Sequence, residues 1–247
     1  MKKTLILLII SIIPAFASGQ IIAGGESGHD KVDSSKIKPW ISNQFKDYQL
    51  VYHFGFSSGE SYLFIIIAND SCYAQIRDYK WRKINQLQSY FPNYETFKNV
   101  RIQGNKFYSD KTNGEFVIYN WDNKEKKGLI VFKPWTGSAK NTESEFGFTD
   151  VSNKVDLYYS GRFPYTSYRL LYKDEIEKLS LSDLQIMSNE IYARYGYIFK
   201  PDSDMDIYFK SQKWYKGLYD DVTNYLTGLE KRNVSLIQTV EKMKNGL

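Results

Sequence analysis

Met187-Ser188-Asn189-Glu190-Ile191-Tyr192-Ala193-Arg194-Tyr195-Gly196-Tyr197-Ile198-Phe199 is the stretch around which the chain is organised. Leu184, Met187, Ile191 and Ile198, with Tyr195 between the last two, recur at three- and four-residue steps and so share one helical face. Just upstream, Ser180-Leu181-Ser182-Asp183 is a Ser-x-x-acid start that can satisfy the first free backbone N–H groups. Gly196 supplies the stop. Glu190 and Arg194 stand four apart, acid first, the order that favours pairing along a helix. The segment specifies a helix and names no reaction.

The neighbouring segments also read as short helices. One covers Lys173–Leu179, the central one runs from about Leu181 to Tyr197, and Phe199-Lys200-Pro201-Asp202 forbids its continuation. A brief helix over Asp204–Ser211 follows. The last spans about Thr227 to Lys244, with Leu229, Asn233, Leu236, Ile237, Val240 and Met243 on one face and Gly246 as a stop. Residues 166–247 are therefore expected to form a small all-α C-terminal domain.

The first half has a different texture. Gln49–Phe56, Tyr62–Ala68 and Cys72–Tyr79 are β-branched and aromatic runs separated by turn residues. Trp81–Tyr94 breaks the pattern and reads as a short helix or a long loop. Val100–Gln103, Lys106–Ser109, Phe116–Trp121 and Leu129–Phe132 continue the strands, with Gly104-Asn105 a two-residue hairpin turn and Asp122–Lys127 a polar loop. Thr136–Glu145 reads as a surface loop and Val155–Tyr159 as one more strand. The expected fold class is α+β: an antiparallel β barrel or sandwich over residues 45–135, extending to about 165, followed by the helical domain.

Residues 1–19 read as a secretory signal, with Lys2 and Lys3 at the start, an apolar core from Leu5 to Ile13, and Ala15-Phe16-Ala17 as a small-x-small cleavage site. The apolar run is too short to span a bilayer and no second one exists, so no transmembrane anchor is expected. Residues 20–44, rich in Gly, Ser and Lys and without periodicity, read as a flexible lead-in. The formal net charge of +5 includes Lys2 and Lys3, and no basic run stands out, which argues against a nucleic-acid partner. Cys72 is the single cysteine, so no intrachain disulfide can form and stability must come from packing. The 21 Tyr and 15 Phe suit half-buried sheet positions.

The segment Tyr192-Ala193-Arg194-Tyr195-Gly196 resembles the motif of the YARHG domain, a bacterial extracytoplasmic module. Ser167-Tyr168-Arg169-Leu170, Asp174, Leu179-Ser180 and Leu184 look like that family's lead-in. Tyr208-Phe209, Trp214-Tyr215, Leu229-Glu230-Lys231, Asn233 and Ile237 follow its order and spacing. The likeness runs from about Ser167 to Glu241. Tyr195 replaces the family's histidine, and Ser188 stands where an arginine is usual, so a role needing an imidazole or a second arginine there is not carried over. The resemblance implies an exported protein of the periplasm or extracellular space, and it implies no settled activity.

Candidate chemistry is sparse. His29 and His53 lack a Cys partner at ligand spacing, so neither a metal nor a cofactor is expected. A Cys72–His53 nucleophile pair lacks an orienting third group. The acids Glu175, Glu177, Asp183, Asp202, Asp204 and Asp206 suit solvated helix starts. Glu190, Arg194, Glu230 and Asn233 are expected to form a structural clasp, with Arg194 bridging Glu190 and Glu230 across the seam between the central and last helices. Tyr192, Tyr208, Trp214 and Tyr215 are the binding candidates, weighed against Trp214 being the core plug of a small domain. The expected function is non-catalytic binding to an envelope polysaccharide, peptidoglycan or envelope protein. The alternative is a carboxylate-dependent hydrolase acting on envelope glycans.

Overall fold

The computed structural model describes residues 20–25, 28–84, 87–136, 143–150 and 152–246. The expected secretory leader lies outside these residues, as does most of the expected Thr136–Glu145 loop.

Among the described residues twelve strands form a single sheet: β1 (Ile21–Gly25), β2 (Gly28–Lys31), β3 (Ile37–Pro39), β4 (Val51–Phe54), β5 (Ser61–Ala68), β6 (Ser71–Ile84), β7 (Leu87–Thr96), β8 (Arg101–Gln103), β9 (Lys106–Tyr108), β10 (Gly114–Trp121), β11 (Lys124–Val131) and β12 (Ser144–Thr149). The order β7-β6-β5-β4-β12-β11-β10-β9-β8 leaves the sheet open, with β7 and β8 at its ends. Neighbours on this path are antiparallel, while β1 lies parallel to β12. The sheet folds over itself as a sandwich: Tyr52, Phe54, Leu63 and Ile65 from β4 and β5 share one buried core with Phe107, Phe116, Leu129 and Val131 from β9 to β11.

Four helices follow: α1 (Lys173–Ile176), α2 (Leu181–Arg194), α3 (Asp204–Lys210) and α4 (Gly228–Lys244). This is the expected α+β order of an antiparallel sheet and then helices. β5 explains how the two halves meet. Its alternate residues Leu63, Ile65 and Ile67 enter the sandwich core, while Phe64, Ile66 and Ala68 pack on the other face against Val155, Tyr159, Leu170 and Leu229. Both faces are apolar because both are covered.

Several local expectations are corrected. Residues 20–44 are not a flexible lead-in: they supply β1, β2 and β3, which pair with β12, with each other and with β10. Trp81–Ile84 and Leu87–Tyr94, expected as a short helix or a long loop, are the outer half of the long β6–β7 ribbon, paired from Gln75↔Thr96 to Ile84↔Leu87. Pro92 is tolerated because β7 is a sheet edge. The polar loop 122–127 tightens to a two-residue turn, Asp122 and Asn123 both at positive φ (47° and 60°), as a hairpin twisted like its strands requires. Val155–Tyr158 is a single 3-10 turn, and the added strand is Ser144–Thr149.

Candidate functional site

Ser180 caps α2, its hydroxyl accepting from the Asp183 N–H at 3.1 Å, and Gly196 takes the left-handed conformation (φ 79°) just past the other end. Ile191 and Met187 face the helical core with Val234, Ile237 and Val240 of α4.

Glu190 and Arg194 do pair, as their spacing predicts. Both then grip the arch that leads from the sheet into the helices. The Glu190 carboxylate accepts the backbone N–H groups of Arg162 (2.7 Å) and Phe163 (2.8 Å). Arg194 donates to the carbonyls of Ser160 (2.7 Å) and Phe163 (2.8 Å), and to the hydroxyls of Thr166 (2.9 Å) and Ser167 (2.8 Å). Gly161 makes room for this. Its φ is 112°, and a Cβ there would lie 2.3 Å from the Glu190 carboxyl carbon. Burial lowers the Arg194 pKa and Glu190 only partly offsets it, yet a guanidinium stays protonated.

The bridge from Arg194 to Glu230 is not made. Glu230 accepts instead from the hydroxyls of Tyr195 (2.7 Å) and Thr227 (2.9 Å) and from the Thr227 N–H (2.9 Å), and its second oxygen is buried without a hydrogen bond. Its charge reaches Arg194 only through space. The cause is helical geometry: successive residues diverge by about 100°, so Arg194 faces the arch and Tyr195 faces α4. Tyr195 also accepts from the Gln75 side chain (3.0 Å), which in turn donates to the Tyr225 carbonyl (2.6 Å), tying β6 to the helices. Arg77 lies at the same seam, its guanidinium 3.8 Å from the Phe64 ring centre and 4.6 Å from that of Tyr159. Burial lowers its pKa, but Tyr159, Tyr195 and Glu230 outweigh that and raise it.

Asn233 acts on the same arch from α4. Its amide donates to the carbonyls of Thr166 (2.7 Å) and Arg169 (2.8 Å), and its oxygen accepts the Leu171 N–H (3.0 Å). Ser188, in place of the usual arginine, donates to Glu241 of α4 (3.1 Å).

The four aromatic candidates do not form an exposed platform. Tyr208, Trp214 and Tyr215 surround the fully buried Phe209, with ring centres 5.0, 6.1 and 5.7 Å from it, and all three are half-buried. Tyr192 packs separately, near Tyr197. A set of neighbouring exposed rings lies elsewhere, on the β6–β7 ribbon. Trp81 is 64% exposed, Tyr79 54% and Tyr90 39%. Tyr79 and Tyr90 stack at 5.3 Å, and Trp81 lies 5.0 Å from Tyr90. The Tyr90 hydroxyl donates to the Ser58 carbonyl at 2.7 Å, fixing the middle ring. The sequence carried a signal for this: Tyr79, Trp81 and then Tyr90, Pro92, Tyr94 alternate at period two.

The acids are mostly committed to structure. Glu175 pairs with Arg169 (2.9 Å), Asp183 with Arg162 (2.7 Å) and Asp206 with Lys210 (2.7 Å), while Glu177, Asp202 and Asp204 are exposed. A groove of about 710 Å³ at the seam is lined by Trp40, Lys127, Lys154, Tyr168 and Arg169 with Asp47, Asp150 and Asp156. A second, about 670 Å³, is lined by His53, Asp30, Glu60, Trp121 and Asp122. Every acid lining these two grooves is exposed, whereas a general acid needs enclosure to hold its proton. The described residues include no cluster of three or more His, Cys, Asp or Glu arranged to hold a metal.

Cys72 and His53 are kept apart. In register Cys72 sits opposite Ile67 and His53 opposite Tyr62, on strands flanking β5. Burial pushes the Cys72 thiol up to about 12. Cys72 is therefore expected to resist iodoacetamide in the native protein at about pH 8 and to react once denaturant is added, because the thiolate is the nucleophile. Mass spectrometry of the two samples checks this; rapid native alkylation would contradict it.

Residues 162–242 match the YARHG domain family, so the motif helix and the clasp lie inside a YARHG domain. YARHG domains are extracytoplasmic, and no helix among the described residues is long and apolar enough to cross a membrane. No curated protein and no solved structure matches the chain.

Proposed function

We propose that the protein is an exported, non-catalytic binding module of the cell envelope, acting in the periplasm or outside the cell, whose ligand is an envelope glycan. The observation that carries this reading is the exposed, pre-positioned ring set Tyr79, Trp81 and Tyr90. Rings held in place before a ligand arrives lose little conformational entropy on binding, and their faces suit the apolar faces of sugars. The YARHG domain is the scaffold in this reading. Its Glu190, Arg194 and Asn233 are spent on the arch, and its aromatic residues on packing round Phe209. A glycan hydrolase would need two carboxyl groups facing each other across a cleft, and the ion-paired acids of the helices are unavailable for that work.

The test is retention of the purified protein on cell-wall sacculi and on envelope polysaccharides. Aromatic anchors are worth about 2 kcal/mol or more at binding sites, so Tyr79→Ala with Trp81→Ala should weaken retention by roughly 30-fold or more. Thermal stability should barely change, because these side chains are solvent-facing. Undiminished retention by the double variant would remove the ring set from the site.

A further inference from the structure

The ring-bearing face of the β6–β7 ribbon does not end in rings. Tyr79 lies opposite Pro92, Trp81 opposite Tyr90, and Lys83 opposite Gln88. Residues two apart on a strand, and those directly opposed, share a face. These six therefore form one stripe, with Lys83 about 7 Å beyond Trp81 along the strand.

The charge along the outer ribbon itself has one sign. Its outer half, residues 79–83 and 88–92, contains Lys80, Arg82 and Lys83 and no acid. The acids nearer the sheet are taken: Asp78 accepts from Asn93 at 2.7 Å, and Glu95 pairs with Lys111 at 2.7 Å. Arg82 is spent on the seam, donating to the Tyr225 hydroxyl (3.2 Å) and lying 5.1 Å from the Tyr219 ring centre. Lys80 and Lys83 are exposed, and neither is in an ion pair among the described residues. Strand addition along the β7 edge is interrupted at Pro92, which has no N–H to offer and whose carbonyl already accepts from the Tyr219 hydroxyl (2.5 Å). The open surface is the ring face.

We propose that this stripe binds an acidic polysaccharide, sugar faces stacking on Trp81 and Tyr79 while a sugar carboxylate pairs with Lys83. The inference rests on the binding reading above and specifies its ligand. Charge complementarity selects the ligand: an apolar ring face beside an unpaired ammonium matches a sugar that carries negative charge.

The experiment measures binding of the purified protein to polygalacturonate, to neutral dextran and to phosphatidylglycerol vesicles, each at low and high salt. Polygalacturonate is expected to bind and dextran to bind at least about ten-fold more weakly. Trp81→Ala should abolish the interaction. Lys83→Gln should weaken it several-fold and flatten its salt dependence, and Lys83→Glu should weaken it further. Equal binding to both glycans, or an unchanged affinity in Lys83→Gln, overturns the acidic-ligand inference and leaves glycan binding standing. Trp81-dependent binding to the vesicles without binding to either glycan assigns the rings to a lipid surface and overturns both. If polygalacturonate does not bind, the inference falls; Trp81-dependent retention on sacculi then decides whether the binding reading survives.

Discussion

Arg194→Ala is expected to destabilise the protein by about 3–5 kcal/mol. The large figure applies because the pair is dry: the Arg194 and Glu190 side chains are 6% and 0% exposed. Removing the guanidinium leaves the Glu190 carboxylate buried, compensated only by two backbone N–H groups, and takes away the donor that meets the Ser160 carbonyl and the Ser167 hydroxyl, while the Phe163 carbonyl keeps the Thr166 hydroxyl. An exposed pair would be worth about 1 kcal/mol or less. Arg194→Lys should recover little, since one ammonium cannot reach acceptors spread from Ser160 to Ser167 as a planar fork does. The measurement is urea unfolding of the purified protein, read as a lowered midpoint at constant slope. Wild-type stability in Arg194→Ala, with ligand binding lost, would move this residue from the scaffold to the site.

Asn233→Asp is expected to cost about 3 kcal/mol, although the two side chains have the same shape. The native amide makes two donations and one acceptance, all to backbone groups between Thr166 and Leu171. Aspartate keeps the oxygen that meets the Leu171 N–H but turns a second oxygen toward the carbonyls of Thr166 and Arg169. Each buried backbone group left without a partner costs about 1–3 kcal/mol, and the facing oxygens add repulsion. Asn233→Ala should be similarly damaging. Thermal unfolding gives the comparison, since about 1 kcal/mol moves the midpoint roughly 2–4 °C in a chain of this size. An aspartate variant as stable as wild type would mean that the arch is held by other contacts.

The helical half was legible because its signals are local. The Ser180 cap, the face of Leu184, Met187 and Ile191 and the Glu190–Arg194 spacing all lie within fifteen residues and are realised, whereas Ile198, expected on that face, lies past the helix end at Arg194 and is exposed. What the pair grips was not legible, because the arch amides of Arg162 and Phe163 carry no side-chain signature. Glu230 was matched to the wrong neighbour by one residue, since a helical face is resolved only when its partner is known. In the sheet, β4, β5 and β10 announced themselves by their β-branched and aromatic runs, whereas the buried β12 did not. The outer β6–β7 ribbon did not, because its rings point to solvent, Arg82 and Lys83 interrupt the apolar run, and Pro92 reads as a breaker. β1 to β3 are three to five residues long and borrow their order from β10 and β12, a long-range cause that local composition does not record.

The phenol at position 195 sets how the seam responds to acid. A histidine there would gain or lose charge near pH 6.5, inside the range an exported protein meets. Burial holds the Tyr195 hydroxyl well above its ordinary value, so it stays neutral throughout that range and keeps donating to Glu230. Position 195 thus takes up no proton as the surroundings acidify, and the docking of helices on sheet gains no titrating hinge from this residue.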